Sequence, residues 1–342
     1  MEIIPSLDKK ETREIQKWLR SPAHNHRQDV MELFDYILRH VGKNEAALAK
    51  EKTWARLFPD KPYDDAFMRQ VMYFLLKSIE EYFVHAHIME DQVQYSIILT
   101  RIYKQRKLDK PYKQAHRTAF STLEDQPLRN TYYLQNKFLL EREEYEYQIN
   151  ISQNNEVNLQ EMADALENWF IAEKIQVGNS MLAHHKIYQK IKYENGLLPD
   201  VLHYIHTRKP TALDEPGVAS HYYAHMAITQ PAEEVYFDRF EKLIKEAGQK
   251  LFSISELRDL YRNALNYCTA KINQGRFDFA RRAFEICRKG LDNNILFENN
   301  MLTRYTFGNM VAYAIRSGEY QWAEQFIEKY KQYLDEKERN SI

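Results

Sequence analysis

The sequence predicts an all-α protein made of antiparallel helix pairs that stack as an α-solenoid. Glycine is scarce, at 9 of 342 residues, which disfavours turn-rich β folds and glycine-loop nucleotide folds. Good helix formers such as leucine, glutamate, lysine, glutamine and alanine dominate the periodic segments. The most specific observation is a helical hairpin that occurs twice near the C-terminus, with its glycines at positions 275 and 318.

Amphipathic segments follow one another through the first half of the chain. Their apolar spacing predicts helices over 8–20, 28–41, 44–57, 66–87, 93–107, 111–123 and 128–149. Pro22 ends the first of these, because the residue before a proline is disfavoured in helical angles. The polar segment 151–158 is poor in helix formers. We therefore expect it to join an N-terminal helical region, 1–150, to a C-terminal helical-repeat region, 151–342.

The second half continues the helical pattern and ends in the clear repeats, at about 255–336. Helices are predicted over 159–177, 180–193, 198–207, 218–228 and 233–247. A turn is expected at Gly178-Asn179, because glycine often ends a helix. A second break is expected at 209–217, which contains two prolines.

Each clear repeat turns at a glycine that can adopt the left-handed conformation closing a helix. Aromatic residues follow the glycine at two and four positions, and an alanine follows at five: Phe277, Phe279 and Ala280 in one copy, Tyr320, Trp322 and Ala323 in the other. We expect the alanine to permit close helix approach and the aromatics to fill the wedge between the paired helices. Weaker echoes, each with an alanine three residues after a tyrosine, occur at Tyr63 and Tyr112.

These features resemble the tetratricopeptide repeat, in which a glycine separates two helices and an aromatic and a small residue follow. The family's period is about 34 residues, whereas the two copies here are 43 residues apart, from 275 to 318. The chain is thus identified as a divergent relative over roughly its last quarter. It also resembles uncharacterised all-helical bacterial proteins that carry a Trp-Leu-Arg-Ser-Pro segment, here Trp18–Pro22. The first resemblance implies a right-handed, curved solenoid whose first helices line a concave groove.

A polar stripe follows the first helix of each clear repeat and is the candidate peptide-binding site. Its members are spaced to share one helix face: Arg262, Asn266, Thr269 and Asn273 in the first copy, Tyr305, Asn309 and Arg316 in the second. The resemblance implies that Asn266 and Asn309 grip a peptide backbone, since an amide can donate and accept at once. The alternative is that both asparagines cap or bridge stacked helices, where a buried amide must be paired.

A basic run offers a second candidate surface, for nucleic acid or an acidic peptide. It contains Arg101, Lys104, Arg106, Lys107, Lys110, Lys113 and Arg117. Two tyrosines interleave with these cations, and Asp109 is the one acid among them. Such a hairpin could contact phosphates. The alternative is a solvated helix tip that complements the acidic face at Glu141 to Glu146.

Residues that could carry metal or catalytic chemistry give weaker signals. His221 and His225 stand four residues apart and could share a helix face, as could Asp200, His203 and His206. Zinc sites need three or four defined ligands, so no metal site and no cofactor is expected. His85, His87, His184 and His185 converge even less. The sequence lacks phosphate-binding glycine motifs, catalytic serine motifs and Cys-x-x-Cys.

Charge and cysteine usage give a broad class. The net charge is −1, which provides no global electrostatic attraction to nucleic acid or membrane. Cys268 and Cys287 are predicted to be packed core thiols. No apolar signal core begins the chain and no apolar run could span a bilayer, so a cytoplasmic protein is expected. We expect a non-catalytic scaffold that binds a protein or peptide, with a nucleic-acid-associated protein and a helical metal-binding protein or enzyme as alternatives.

Overall fold

The computed structural model describes residues 3–151, 156–246, 248–298 and 300–334. Within these ranges the secondary structure is helical, without a β-strand and with one isolated antiparallel bridge between Glu298 and Met301. The all-α prediction is confirmed. Contacts divide the chain into two compact units, Met1–Tyr95 and Ser96–Ile342.

The first unit is built around three packed helices. Its helices are α1 (Ile3–Ser6), α2 (Lys9–Arg20), α3 (Gln28–His40), α4 (Lys50–Leu57) and α5 (Asp65–Glu90). A capping box starts α2: the Asp8 carboxylate accepts from the Glu11 amide at 2.7 Å, and the Glu11 carboxylate accepts from the Asp8 amide at 2.8 Å. The apolar faces of α2, α3 and α5 form the core, which includes Ile15, Leu19, Val30, Leu33, Phe34, Val71, Leu75 and Ile79.

The second unit contains the remaining helices. They are α6 (Gln92–Gln105), α7 (Asp109–Asp125), α8 (Thr131–Ile151), α9 (Leu159–Ile187), α10 (Leu198–Thr207), α11 (Pro216–Thr229), α12 (Glu234–Glu246), α13 (Gly248–Leu251), α14 (Ile254–Asn273), α15 (Asp278–Asp292), α16 (Arg304–Arg316) and α17 (Tyr320–Tyr330). The first residues of α6 belong to the first unit. The predicted joint at 151–158 lies inside this unit, and residues 152–155 fall outside the described residues. The helices on either side of it, α8 and α9, pack against each other.

The turn predicted at Gly178-Asn179 is wrong, because α9 runs through both residues as one helix from Leu159 to Ile187. Gly178 instead allows a close helix approach. A Cβ atom at this position would lie 2.5 Å from a methyl group of Leu198, at the start of α10. The glycine therefore serves packing between α9 and α10, a contact that local sequence does not reveal.

The C-terminal part consists of three successive helix pairs: α11 with α12, α14 with α15, and α16 with α17. The two clear repeats end their first helices in the same way. Gly275 and Gly318 have φ angles of +89° and +80°. The backbone amide three residues past each helix donates to the carbonyl two residues before the helix end, Arg276 to Lys271 at 3.0 Å and Glu319 to Ala314 at 2.9 Å. This is the Schellman pattern, so the predicted left-handed glycine turns are confirmed.

The aromatic pattern after each glycine divides into a buried and an exposed position. Phe279 is fully buried and Trp322 is packed against the core, as expected. Phe277 and Tyr320, however, are 66% and 63% exposed. The expectation that they fill the wedge between helices is wrong. Residues two apart at a helix start point to opposite sides, so the first aromatic of each pair faces away from the core.

The alanine predicted to permit close helix approach after each glycine turn packs as expected. Ala280 and Ala323 are both buried. The second helices also bury Phe284, and Leu334 beyond α17 is buried against the same core. Cys268 and Cys287 lie free and buried within this cluster, which confirms the packed thiols. Burial raises the pKa of Cys268 to about 12, so this thiol stays protonated at neutral pH.

The two weaker echoes are confirmed as helix starts but differ in packing. Tyr63 lies two residues before α5 and Tyr112 lies in the first turn of α7. Ala115 lies on the buried side of α7. Ala66 is exposed, so the packing role expected of it in the first echo is wrong. The spacing of a tyrosine and an alanine marks a helix start in both cases, but a close helix contact in only one.

Candidate peptide-binding face

One side-chain hydrogen bond, between the partly buried Thr269 and the buried Tyr313, connects α14 with α16, while α16 packs mainly against α15. The Thr269 hydroxyl donates to the Leu265 carbonyl at 2.8 Å. The Tyr313 hydroxyl lies 2.6 Å from the same Thr269 oxygen and is therefore placed to donate to it. Burial raises the pKa of Tyr313 to about 12, so its proton is retained at neutral pH. The first helices of two consecutive pairs thus meet at Thr269 and Tyr313.

The two asparagines lie about one turn before this contact on their own helices. Asn266 precedes Thr269 by three residues, and Asn309 precedes Tyr313 by four. Both are exposed, and neither side-chain amide hydrogen-bonds to another residue in the described part of the chain. They therefore neither cap nor bridge these helices here. Thr269 and Tyr313 make the bridge instead, and Tyr313 was missed because its hydroxyl sits on an otherwise apolar helix face.

The other residues predicted for the peptide-binding site differ in exposure and in ion pairing. We define the polar face as Arg262, Asn266, Thr269, Asn273, Tyr305, Asn309 and Arg316. Tyr305 is 85% exposed. Arg316 is exposed and forms no ion pair with a described residue. Arg262 is partly neutralised by Asp259 at 3.0 Å and Glu298 at 3.7 Å. Arg316 is consequently the stronger candidate for binding a carboxylate.

Ionic contacts also connect the helix pair of α14 and α15 to the preceding pair. Lys271 is buried on α14 and lies 2.9 Å from Glu234 of α12. Hydrogen bonds from Lys271, and then from Arg276, lower the pKa of Glu234 below its usual value. Arg282 of α15 contacts Glu241 of α12 at 2.5 Å. Each contact reaches from one pair to the next, which fixes the position of α14 relative to the preceding pair.

The basic run is divided between structural and free cations. Arg101 contacts Glu143 of α8 at 2.9 Å, and Lys104 contacts both Glu143 and Glu146. Burial tends to raise the pKa of Glu143, but hydrogen bonds from Lys104 and Arg101 outweigh it and lower the pKa below its usual value. We define the basic face as the five other cations, which are exposed and form no ion pair within the described ranges: Arg106, Lys107, Lys110, Lys113 and Arg117.

The histidine pair on α11 belongs to an internal hydrogen-bond network. The Asn179 amide nitrogen donates to the His221 carbonyl at 3.0 Å, and its oxygen lies 2.9 Å from Nδ1 of His225. Nδ1 of His225 must carry the proton, because the amide oxygen can only accept. His221 Nε2 lies 3.5 Å from the Thr131 hydroxyl. We call Thr131, Asn179, His221 and His225 the α11 network.

Burial keeps these two imidazoles neutral. It lowers the pKa of His221 to about 4 and also lowers that of His225. His203 and His206 are exposed on α10. His184 Nδ1 bonds the Tyr193 hydroxyl at 2.7 Å, and His185 Nδ1 bonds the Ile191 carbonyl at 2.9 Å. Among the described residues, no group of three or more histidine, cysteine, aspartate or glutamate side chains is placed to hold a metal ion.

Comparison with protein-family models, curated proteins and solved structures found no significant match for this chain. In the described ranges, none of the helices combines the length and apolar character required to cross a bilayer.

Proposed function

We propose that this protein is a non-catalytic helical-repeat scaffold that binds an extended protein or peptide segment along the polar face. The single observation that carries the proposal is the exposure of Asn266 and Asn309, whose side chains form no hydrogen bond with any described residue. An exposed asparagine presents two donors and an acceptor, which match the N–H and C=O groups of an extended backbone. A peptide could therefore meet one amide on each helix.

The contact between Thr269 and Tyr313 supports this arrangement, because it connects the polar stripes of the two first helices at one point. An extended chain advances by about 3.3 Å per residue, so a segment of several residues would reach from one amide to the other. Arg316 and the exposed ring of Tyr305 would add contacts to a carboxylate and to an apolar side chain.

The solenoid arrangement and its curvature are part of the same proposal. Three successive helix pairs pack in chain order, and a small rotation per pair would give the concave surface that helical-repeat proteins use. The resemblance of the two glycine turns to tetratricopeptide repeats points the same way. A cytoplasmic location remains an expectation from composition, and the partner is a protein or peptide segment rather than a small molecule.

The proposal is tested by the double substitution Asn266→Ala with Asn309→Ala. Both side chains are exposed, so the double substitution should change the free energy of unfolding by no more than about 0.5 kcal/mol, as is usual for surface substitutions. The melting temperature should therefore stay close to that of the wild type. Partners captured from native lysate by the wild-type protein should be lost or strongly reduced with the variant, as quantified by mass spectrometry.

The matched control is Gln321→Ala with Gln325→Ala, which removes two exposed amides from the second helix α17. This control should retain the captured partners. Equal capture by all three proteins would remove the polar face as the binding surface. A large drop in the melting temperature of the asparagine variant would assign Asn266 and Asn309 to structure.

A further inference from the structure

We propose that the basic face is a second binding site, which takes the phosphate backbone of a single-stranded nucleic acid. Its five cations lie within twelve residues, from Arg106 to Arg117, and Asp109 is the one acid in that segment. The proposal is independent of the polar face. It follows from the division of the basic run into two cations that the fold neutralises and five that it leaves exposed.

The cations on α7 share one side of the helix. Lys110, Lys113 and Arg117 are spaced at three and four residues and are all exposed, which places them in one row about 10 Å long. The opposite side of α7 is buried through Tyr112, Ala115, Ala119 and Leu123. Because that side is fixed to the fold, the row of cations faces solvent in a defined orientation.

Contacts with α8 hold α7 in this position. The Tyr112 hydroxyl donates to the Glu143 carbonyl at 2.9 Å, and its ring stacks on Tyr147 with centroids 3.7 Å apart. The ring nitrogen Nε2 of His116 lies 3.2 Å from the Leu140 carbonyl. The row is therefore carried by an anchored helix, and binding a ligand there would not require α7 to become ordered first.

A tight turn adds two further cations at one end of the row. Lys107 has a φ angle of +55°, and the Leu108 amide donates to the Tyr103 carbonyl at 3.0 Å. This Schellman-type closure brings Arg106 and Lys107 directly before the first turn of α7. The left-handed conformation is unfavourable for a lysine, yet the turn carries a cation where a glycine would fit better.

Aromatic and apolar groups near these cations favour a nucleic acid over an acidic peptide. Tyr103 is partly exposed, and Leu108 is 42% exposed between the basic residues. Bases of single strands stack on aromatic side chains such as Tyr103, while their phosphates contact lysine and arginine. A nucleic acid carries one charge on every unit, so a short strand can contact the whole row.

The test is fluorescence anisotropy of the full chain with a labelled oligouridylate of about 20 nucleotides. Salt is varied from about 50 to about 200 mM. We expect the logarithm of the association constant to fall linearly with the logarithm of the salt concentration, with a slope of about 0.7 for each phosphate contacted. The triple variant Lys110→Gln, Lys113→Gln and Arg117→Gln should bind about tenfold or more weakly at the lowest salt and should lower the slope by about 2.

The matched control removes three exposed cations elsewhere, through Lys190→Gln, Lys192→Gln and Lys250→Gln. It changes the net charge by the same amount and should keep the wild-type slope. The variant with alanine at positions 266 and 309 should also bind the RNA normally, which separates this site from the polar face. Melts of every variant check that the fold is retained, since all substituted side chains are exposed.

Absence of wild-type binding at low salt would overturn the proposal, as would equal slopes for the triple variant and its control. Polyglutamate of about 20 residues serves as the competing anion. If polyglutamate binds at the basic face and oligouridylate does not displace it, the site belongs to an acidic peptide and the nucleic-acid assignment is wrong.

Discussion

The C-terminal hairpins and the bundle of α8, α9 and α11 are both made of packed helices, but different interactions hold them. In the hairpins, left-handed glycines close the first helices, and buried aromatics and alanines recur at the same offsets. In the bundle, Gly178 lies inside a helix, and a single side-chain amide, that of Asn179, bonds two residues of α11 that are four positions apart. The first region depends on a repeated local rule, and the second depends on individual long-range contacts.

The comparison shows that glycine has different structural roles in the two regions. Glycine followed by aromatic residues occurs twice and ends a helix both times. The glycine at 178 occurs once and admits the side chain of Leu198. Repetition separates the two cases in the sequence, because a turn signal that recurs with its packing residues is unlike a single glycine within a helical pattern.

The largest effect is expected from the two phenylalanines that follow Gly275. Phe279→Ala should lower the free energy of unfolding by about 3–5 kcal/mol, because the ring is fully buried and its removal leaves a cavity. Phe277→Ala should change it by about 0.5 kcal/mol or less, because that ring faces solvent. Urea denaturation of both variants measures the difference. Similar losses for the two would show that the hairpin register is wrong.

In the bundle, Asn179→Ala should destabilise the protein by about 2–3 kcal/mol. The substitution leaves the buried Nδ1–H of His225 without its acceptor and the His221 carbonyl without its donor. Ser180→Ala, at the exposed neighbouring position on the same helix, is the control and should cost much less. A loss confined to the control, or equal small losses, would contradict the network.

The α11 network should also make stability depend on pH. The pKa of His221 is about 4 in the folded chain and near 6.5 when unfolded. As pH falls below about 6.5, the unfolded state binds a proton that the folded state excludes, so unfolding becomes more favourable down to about pH 4. Relative to His221→Gln, the wild type should lose on the order of 1–2 kcal/mol across this window.

The pH experiment has its control in His206→Gln, because His206 is exposed on α10. Urea melts at several pH values should give parallel curves for wild type and this control. The two curves for wild type and His221→Gln should converge as pH falls. Parallel curves for the wild type and His221→Gln would mean that His221 is protonated in the folded protein.

The smallest effect concerns helix ends with left-handed residues. Lys107→Gly should raise the free energy of unfolding by about 0.5–1 kcal/mol, because glycine adopts a φ of +55° without the strain that a Cβ atom causes. Gly275→Ala should lower it by about 1 kcal/mol for the same reason. Lys107→Ala is the control that removes the charge and keeps the strain. If it stabilises as much as Lys107→Gly, charge repulsion is the cause.

Local rules account for what the sequence predicted of the fold. The helices, the turns at Gly275 and Gly318 and the burial of Ala280 and Ala323 follow from periodicity and turn chemistry. The outward direction of Phe277 could have been foreseen from helix geometry, because it stands two residues before the buried Phe279. The role of Asn179 could not, because its partners are 42 and 46 residues away.

The polar face was predicted as a set of residues from helical spacing, but its exposure required the structure. Asn266 could equally have bridged two helices on sequence grounds. Thr269 and Tyr313 take that role, since their hydroxyl oxygens lie 2.6 Å apart and the asparagines remain at the surface. The division of the basic run was likewise out of reach, because Glu143 is 42 residues from Arg101.

The most direct test of the scaffold proposal is site-specific photo-crosslinking in native lysate. A photoreactive amino acid is placed at Asn309 on the polar face and, in a matched protein, at Gln325 on α17, both exposed positions. The account predicts a discrete crosslinked partner from position 309, lost when Asn266→Ala is added, and none from position 325. The same crosslinks from both positions, or from neither, would contradict binding along the polar face.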